Sequence, residues 1–97
     1  MPSDTLAGAF DRALRVVESA RGRGMRTLSG EPAARHLERL RADLVAQRDV
    51  ALARGRVDAE WARGVIRWVA DWAPETDVTL LGALGALVRR RPDEPPA

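Results

Sequence analysis

Residues 58–73 read Asp-Ala-Glu-Trp-Ala-Arg-Gly-Val-Ile-Arg-Trp-Val-Ala-Asp-Trp-Ala and hold all three tryptophans of a chain with no tyrosine and one phenylalanine. On a helix turning about 100° per residue, Trp61, Trp68 and Trp72 fall within about 40° of one another and form one ridge. Ala62, Ile66, Val69 and Ala73 form a second ridge beside it, while Glu60, Arg63, Arg67 and Asp71 gather on the opposite side. The apolar arc spans about 160°, more face than one neighbouring helix covers. The two ridges therefore need not face the same neighbour, and the stretch calls for a bundle of helices around it.

Upstream, Arg54-Gly55-Arg56-Val57-Asp58 is a short turn with Gly55 suited to a helix C-terminus and Asp58 to an N-cap. Val57 is placed to staple against Ala62. A connection this short predicts that the helices on either side are antiparallel neighbours. The preceding helix is expected over 31–54, opened by Ser29 or Gly30, Glu31 and Pro32. Its seam of Ala33, Leu37, Leu40, Leu44, Gln47 and Ala51 repeats every 4 and 3 residues, interrupted once by the glutamine. Glu31 with Arg35 and Arg39 with Asp43 are spaced for pairing along the helix, and Val45 and Leu52 make a minor second ridge.

Before it, the run 22–30 holds three glycines and no sustained period, and reads as a loop. The first helix spans about 4–21, capped by Ser3 or Asp4 and ended by Gly22, with Leu6, Phe10, Ala13, Leu14, Val17 and Ala20 on its apolar face. Downstream of the tryptophans, Pro74 stops the helix at the residue before it. A fourth helix is expected over 77–90, with Leu80, Leu81, Leu84, Leu87 and Val88 facing the core and Thr79, Gly82, Ala83, Gly85 and Ala86 on a side that is either exposed or small because another backbone packs closely against it. Arg89, Arg90 and Arg91 complement its C-terminal dipole. The fold expected is thus an all-α four-helix bundle, one domain over residues 1–91, followed by a disordered tail at 92–97.

Composition agrees. A chain of 97 residues with 45% hydrophobic and 31% charged residues has the profile of one globular domain, with no room for a second. All 16 basic residues are arginine, which lifts the pI to about 10.8 although the net charge is only +2. That usage reflects a GC-rich, bacterial genome more simply than a polyanion ligand. With no cysteine, disulfides, thiolate catalysis and cysteine-ligated zinc are excluded. No basic-then-apolar leader and no apolar run of about 20 residues is present, so a cytoplasmic protein without a membrane span is expected.

No catalytic motif emerges, and no enzyme, cofactor or metal is expected. His36, the single histidine, shares its helix face with no second ligand at i+3 or i+4 and reads as a solvated or seam-edge residue. Ser3, Ser19 and Ser29 are accounted for as caps or surface residues, and Asp93 and Glu94 lie in the tail. The small-residue cluster of Gly82, Gly85 and Ala86 suits a close helix crossing, inside the bundle or against another chain.

Two interaction surfaces stand out instead. The tryptophan ridge is either core or a partner-binding face anchored by Trp61, Trp68 and Trp72 with Arg63 and Arg67 as rim contacts. The segment from Arg12 to Arg26 carries five arginines against Glu18 alone, a local balance of +4, and its Arg21, Arg23 and Arg26 suit phosphates. It has no aromatic residue for base stacking. The leading expectation is an interaction module, an adaptor or regulatory subunit, that binds a protein partner or a second copy of itself through apolar helix faces. The alternative is a nucleic-acid-binding accessory protein using the arginine-rich loop.

Overall fold

The computed structural model describes residues 5–74 and 78–89, with backbone alone at 78 and 89. The capping roles of Ser3 and Asp4, the corner at 75–77, Arg90 and Arg91, and the tail lie outside the described residues. Four helices follow one another: α1 (Leu6–Gly22), α2 (Ala34–Arg54), α3 (Ala59–Trp72) and α4 (Val78–Arg89). The protein is an all-α four-helix bundle. None of these helices is long and apolar enough to cross a membrane.

The helix ends show which local signals acted. Thr5 caps α1, its hydroxyl accepting from the Gly8 N–H at 2.9 Å. The terminator of α1 is Gly24 and not Gly22. Gly24 takes the left-handed conformation (φ 68°), its N–H reaches the Arg21 carbonyl, and the Met25 N–H reaches back to that of Ala20. Met25 and Ala20 are both buried, the apolar contact that accompanies this kind of helix end. Gly55 ends α2 in the same way (φ 78°), as expected, with Gly55 and Arg56 both donating to the Ala51 carbonyl. Asp58 caps α3 through Oδ1, which accepts from the N–H groups of Glu60 and Trp61. Ala73 is extended ahead of Pro74.

The run 22–30, expected to be an irregular loop, is part of a small hairpin. Arg26 and Pro32 form an antiparallel bridge, Thr27 donates to the Glu31 carbonyl at 2.8 Å, and Ala33 donates to that of Met25 at 3.0 Å. These pairings occupy residues 31–33, so α2 starts at Ala34 and not at 31. Ala33 takes the cap position without a side-chain hydrogen bond. Ser29, expected as a cap, shares a hydrogen bond with the Thr27 hydroxyl at 2.9 Å. Met25 and Thr27 point inward while Arg26 and Leu28 point out, the alternation of a strand.

The helices pack in the order α2, α1, α4, α3. Phe10, Ala13, Val17 and Ala20 of α1 meet Leu37, Leu40, Leu44 and Ala51 of α2 and Leu80, Leu84 and Leu87 of α4, all buried in one cluster. Ala83, on the small-residue side of α4, joins that core, because it lies one turn from both Leu80 and Leu87. Gly82 faces open space, and a methyl group there would touch nothing within 4 Å. The short turn at Gly55 leaves α2 and α3 few close backbone approaches; rings span the space between them, and the Leu28 N–H of the hairpin donates to the Trp72 carbonyl at the end of α3 at 2.9 Å.

The expected pairs Glu31–Arg35 and Arg39–Asp43 are absent among the described residues. Ion pairs tie α1 to α2 instead: Arg48 to Asp11 at 3.2 Å, Arg41 to Glu18 at 3.4 Å and Arg21 to Glu38 at 3.7 Å.

Candidate interaction site between α2 and α3

Burial on α3 follows neither tryptophan ridge nor alanine ridge but the line between them. Ala62, Val65, Val69, Trp72 and Ala73 are buried, and Trp61, Ile66 and Trp68 flank them half-buried. Val65, a member of neither ridge, is at the centre of the face turned to the core. The three tryptophans thus separate by role. Trp72 is core, while Trp61 and Trp68 lie at its edge with part of each indole open to solvent.

Rings fill the space that the backbones leave. Trp61 stacks on Phe10 of α1 with centroids 6.3 Å apart. His36 of α2 stacks on Trp68 at 5.7 Å and meets Trp72 at 4.7 Å, and Trp68 and Trp72 touch edge to face at 5.3 Å. Over the Trp68 ring sits the guanidinium of Arg39, 5.2 Å from the centroid, within the range of cation–π attraction. Arg63 and Arg67 are exposed, but they project about 140° around α3 from the tryptophans and so are no rim to them. The cation at the indole comes from α2.

His36 and Arg39 are the residues that α3 alone could not reveal. A signal for them exists: counting outward from Gly55 along two antiparallel helices brings the turn at 36–40 opposite the turn at 68–72. His36 is half-buried at the seam edge, and its Nδ1, like the Trp72 Nε1, is covered and has no hydrogen-bond partner. Buried polar atoms without partners are uncommon, and two in one ring cluster mark this as the least satisfied part of the described structure. No group of three residues able to hold a metal ion is present among the described residues.

The arginines proposed for phosphate are engaged within the chain. Arg21 pairs with Glu18 at 3.3 Å as well as with Glu38, Arg23 donates to the Ser19 hydroxyl at 3.3 Å, and Arg26 donates to the Gly30 carbonyl at 2.8 Å. Arg26 clasps the hairpin turn, a local reason for an arginine at that position.

Exposed apolar side chains elsewhere are scattered: Leu28 at the hairpin tip and Val45, Val50 and Leu52 on α2. Comparison with protein-family models, with curated proteins and with solved structures found no match to this chain.

Proposed function

We propose that this chain is a non-enzymatic interaction module, an adaptor or regulatory subunit, that binds a protein partner along the seam between α2 and α3. The observation that carries this reading is the partly exposed indole of Trp68, held between His36 and Arg39 of α2 where two chain-adjacent helices meet through their rings more than through close backbone packing. Tryptophan and arginine are the side chains that most often anchor interfaces, because each combines a large contact area with a polar handle. Trp68 and Arg39 already supply that combination, with the arginine fixed over the ring.

The test uses the full chain as bait in its native host, with Trp68→Ala and Arg39→Ala variants beside it and captured proteins identified by mass spectrometry. A partner held by the parent chain and lost with both variants supports the seam. Equal capture by all three would sink it. Light scattering over a range of concentrations decides whether that partner is a second copy.

Nucleic-acid binding is a second reading, and one observation favours it. The acidic residues of α1, Asp11 and Glu18, are paired across to α2 by Arg48 and Arg41. Arg12 and Arg15 are exposed, and neither has an ion pair among the described residues. Retention on DNA or RNA that falls steeply with salt would support it, and no retention at low salt would end it.

A further inference from the structure

Next to the ring cluster, the hairpin tip, the start of α2 and the end of α3 frame an open cavity of about 230 Å³ lined by Thr27, Ser29, Glu31, His36, Asp71 and Trp72, with Leu28 beside them. Its polar lining is one-sided. Glu31 and Asp71 bring two carboxylates, and neither meets a cation among the described residues, although all 16 basic residues of the chain are arginine and most acids of α1 and α2 are paired. Thr27 and Ser29 satisfy each other's hydroxyls. Trp72 is only 7% exposed, and its Nε1–H has no acceptor; the Nδ1 of His36 is in the same position.

Size narrows the ligand. Pockets for drug-sized molecules run from about 300 to 1,000 Å³, so this one suits a single side chain more than a nucleotide. Charge narrows it further, because two unpaired carboxylates call for a cation. The indole of Trp72 and the imidazole of His36, 4.7 Å apart, form an aromatic corner whose faces also favour one. Arginine fits best of the natural cations, since its planar fork can meet two carboxylates while its face lies on a ring.

We propose that this cavity receives an arginine side chain of the partner protein, at the end of the seam marked by Trp68. For its biological partner the proposal rests on the seam reading. Its test does not, because a small probe replaces the partner. The three indole N–H signals of the ¹⁵N-labelled chain are followed by NMR during titration with N-acetyl-arginine N-methylamide, and with the citrulline analogue as a neutral probe of nearly the same shape.

The expected result is a saturable shift of the Trp72 signal with a Kd on the order of millimolar, as befits a fragment of this size. Binding should weaken by about tenfold or more with citrulline, and likewise in the Glu31→Gln, Asp71→Asn double variant. Glu31 and Asp71 are exposed, so the double variant should keep the fold, and its unchanged spectrum elsewhere is the control. No shift of Trp72, an equal response to citrulline, or an unaltered affinity in the double variant would each overturn the proposal and leave the cavity to water. Loss of the arginine response alone would leave the seam intact as a partner site. Failure of the seam variants with a retained arginine response would remove the seam and keep the cavity.

Discussion

The aliphatic core around α1 and the ring-filled seam between α2 and α3 bury their side chains by different means. In the core, Phe10, Leu40, Leu44, Leu80, Leu84 and Leu87 are all at or below 1% exposure. At the seam, Trp68 and His36 stay half-buried, and two covered nitrogens lack partners. Leucines from α2 and α4 pack on Phe10, Ala13, Val17 and Ala20 of α1 because both helices approach α1 closely. The seam is spanned by rings whose reach substitutes for that approach. The first region should therefore carry stability and the second recognition.

The largest effect that would sharpen this contrast is expected from Leu84→Ala. Leu84 is fully buried, and truncating such a leucine costs about 2–5 kcal/mol through lost transfer energy and the cavity left behind. Against a total stability of about 5–15 kcal/mol for a domain, that is enough to lower the urea midpoint severely. Trp68→Ala removes a bulkier side chain, yet one partly open to solvent, and should cost less, about 1–3 kcal/mol. Equal losses in urea unfolding would break the division between the regions.

Gly55→Ala should cost about 1–2 kcal/mol for its left-handed backbone alone, since the added methyl group meets open space. The same unfolding series measures it. If the seam were held chiefly by its turn, this change would also raise quenching of Trp68 fluorescence by acrylamide in the folded state. The expected result is a loss of stability with unchanged quenching, because the rings and not the turn span the seam.

Much of this architecture was legible in local spacing, and the reason it stopped short is physical. Asp58, Gly55 and Pro74 mark helix ends by steric and hydrogen-bonding rules that act within a few residues, and all three behave as those rules require. The hairpin at 25–33 was hidden because its single bridge pairs residues only six apart, too short for a strand pattern to build up. Spacing leaves open whether the small side of α4 is exposed or closely packed; Ala83 is packed, at the core spacing to Leu80 and Leu87, while Gly82 is open. At the candidate site, the ridge of Trp61, Trp68 and Trp72 was readable, but its division into one buried and two edge residues depends on where α2 and α4 lie. The cation at Trp68 required contact between different helices, which spacing within α3 cannot supply. Arg63 and Arg67 drew attention by nearness in sequence, and Arg39 by none.

Trp72→Phe tests the seam at its most buried point, with a smaller expected effect. Losing part of the indole's buried area destabilises, while removing an N–H that has no acceptor relieves a desolvation penalty of about 1–3 kcal/mol. The two contributions oppose each other, so the net change in urea unfolding should lie within about 1 kcal/mol. A loss as large as that of Leu84→Ala would mean that Nε1 is well hydrogen-bonded in solution, and the contrast between a satisfied core and an unsatisfied seam would fail.

The smallest effect is the most specific. If Arg39 is held over Trp68 by attraction to the ring, the two side chains should be coupled, and a double-mutant cycle with Arg39→Ala and Trp68→Ala isolates that coupling from the separate losses of each. At an exposed site the expected value is about 0.5–1 kcal/mol. Arg39→Lys should retain part of it through charge but lose the flat stacking of the guanidinium. Arg39→Gln, long but neutral, should retain little. A cycle that closes to zero, or a glutamine that performs as well as lysine, would reduce the contact to two surface side chains lying near one another. The argument for recognition at the seam would then rest on the indoles alone.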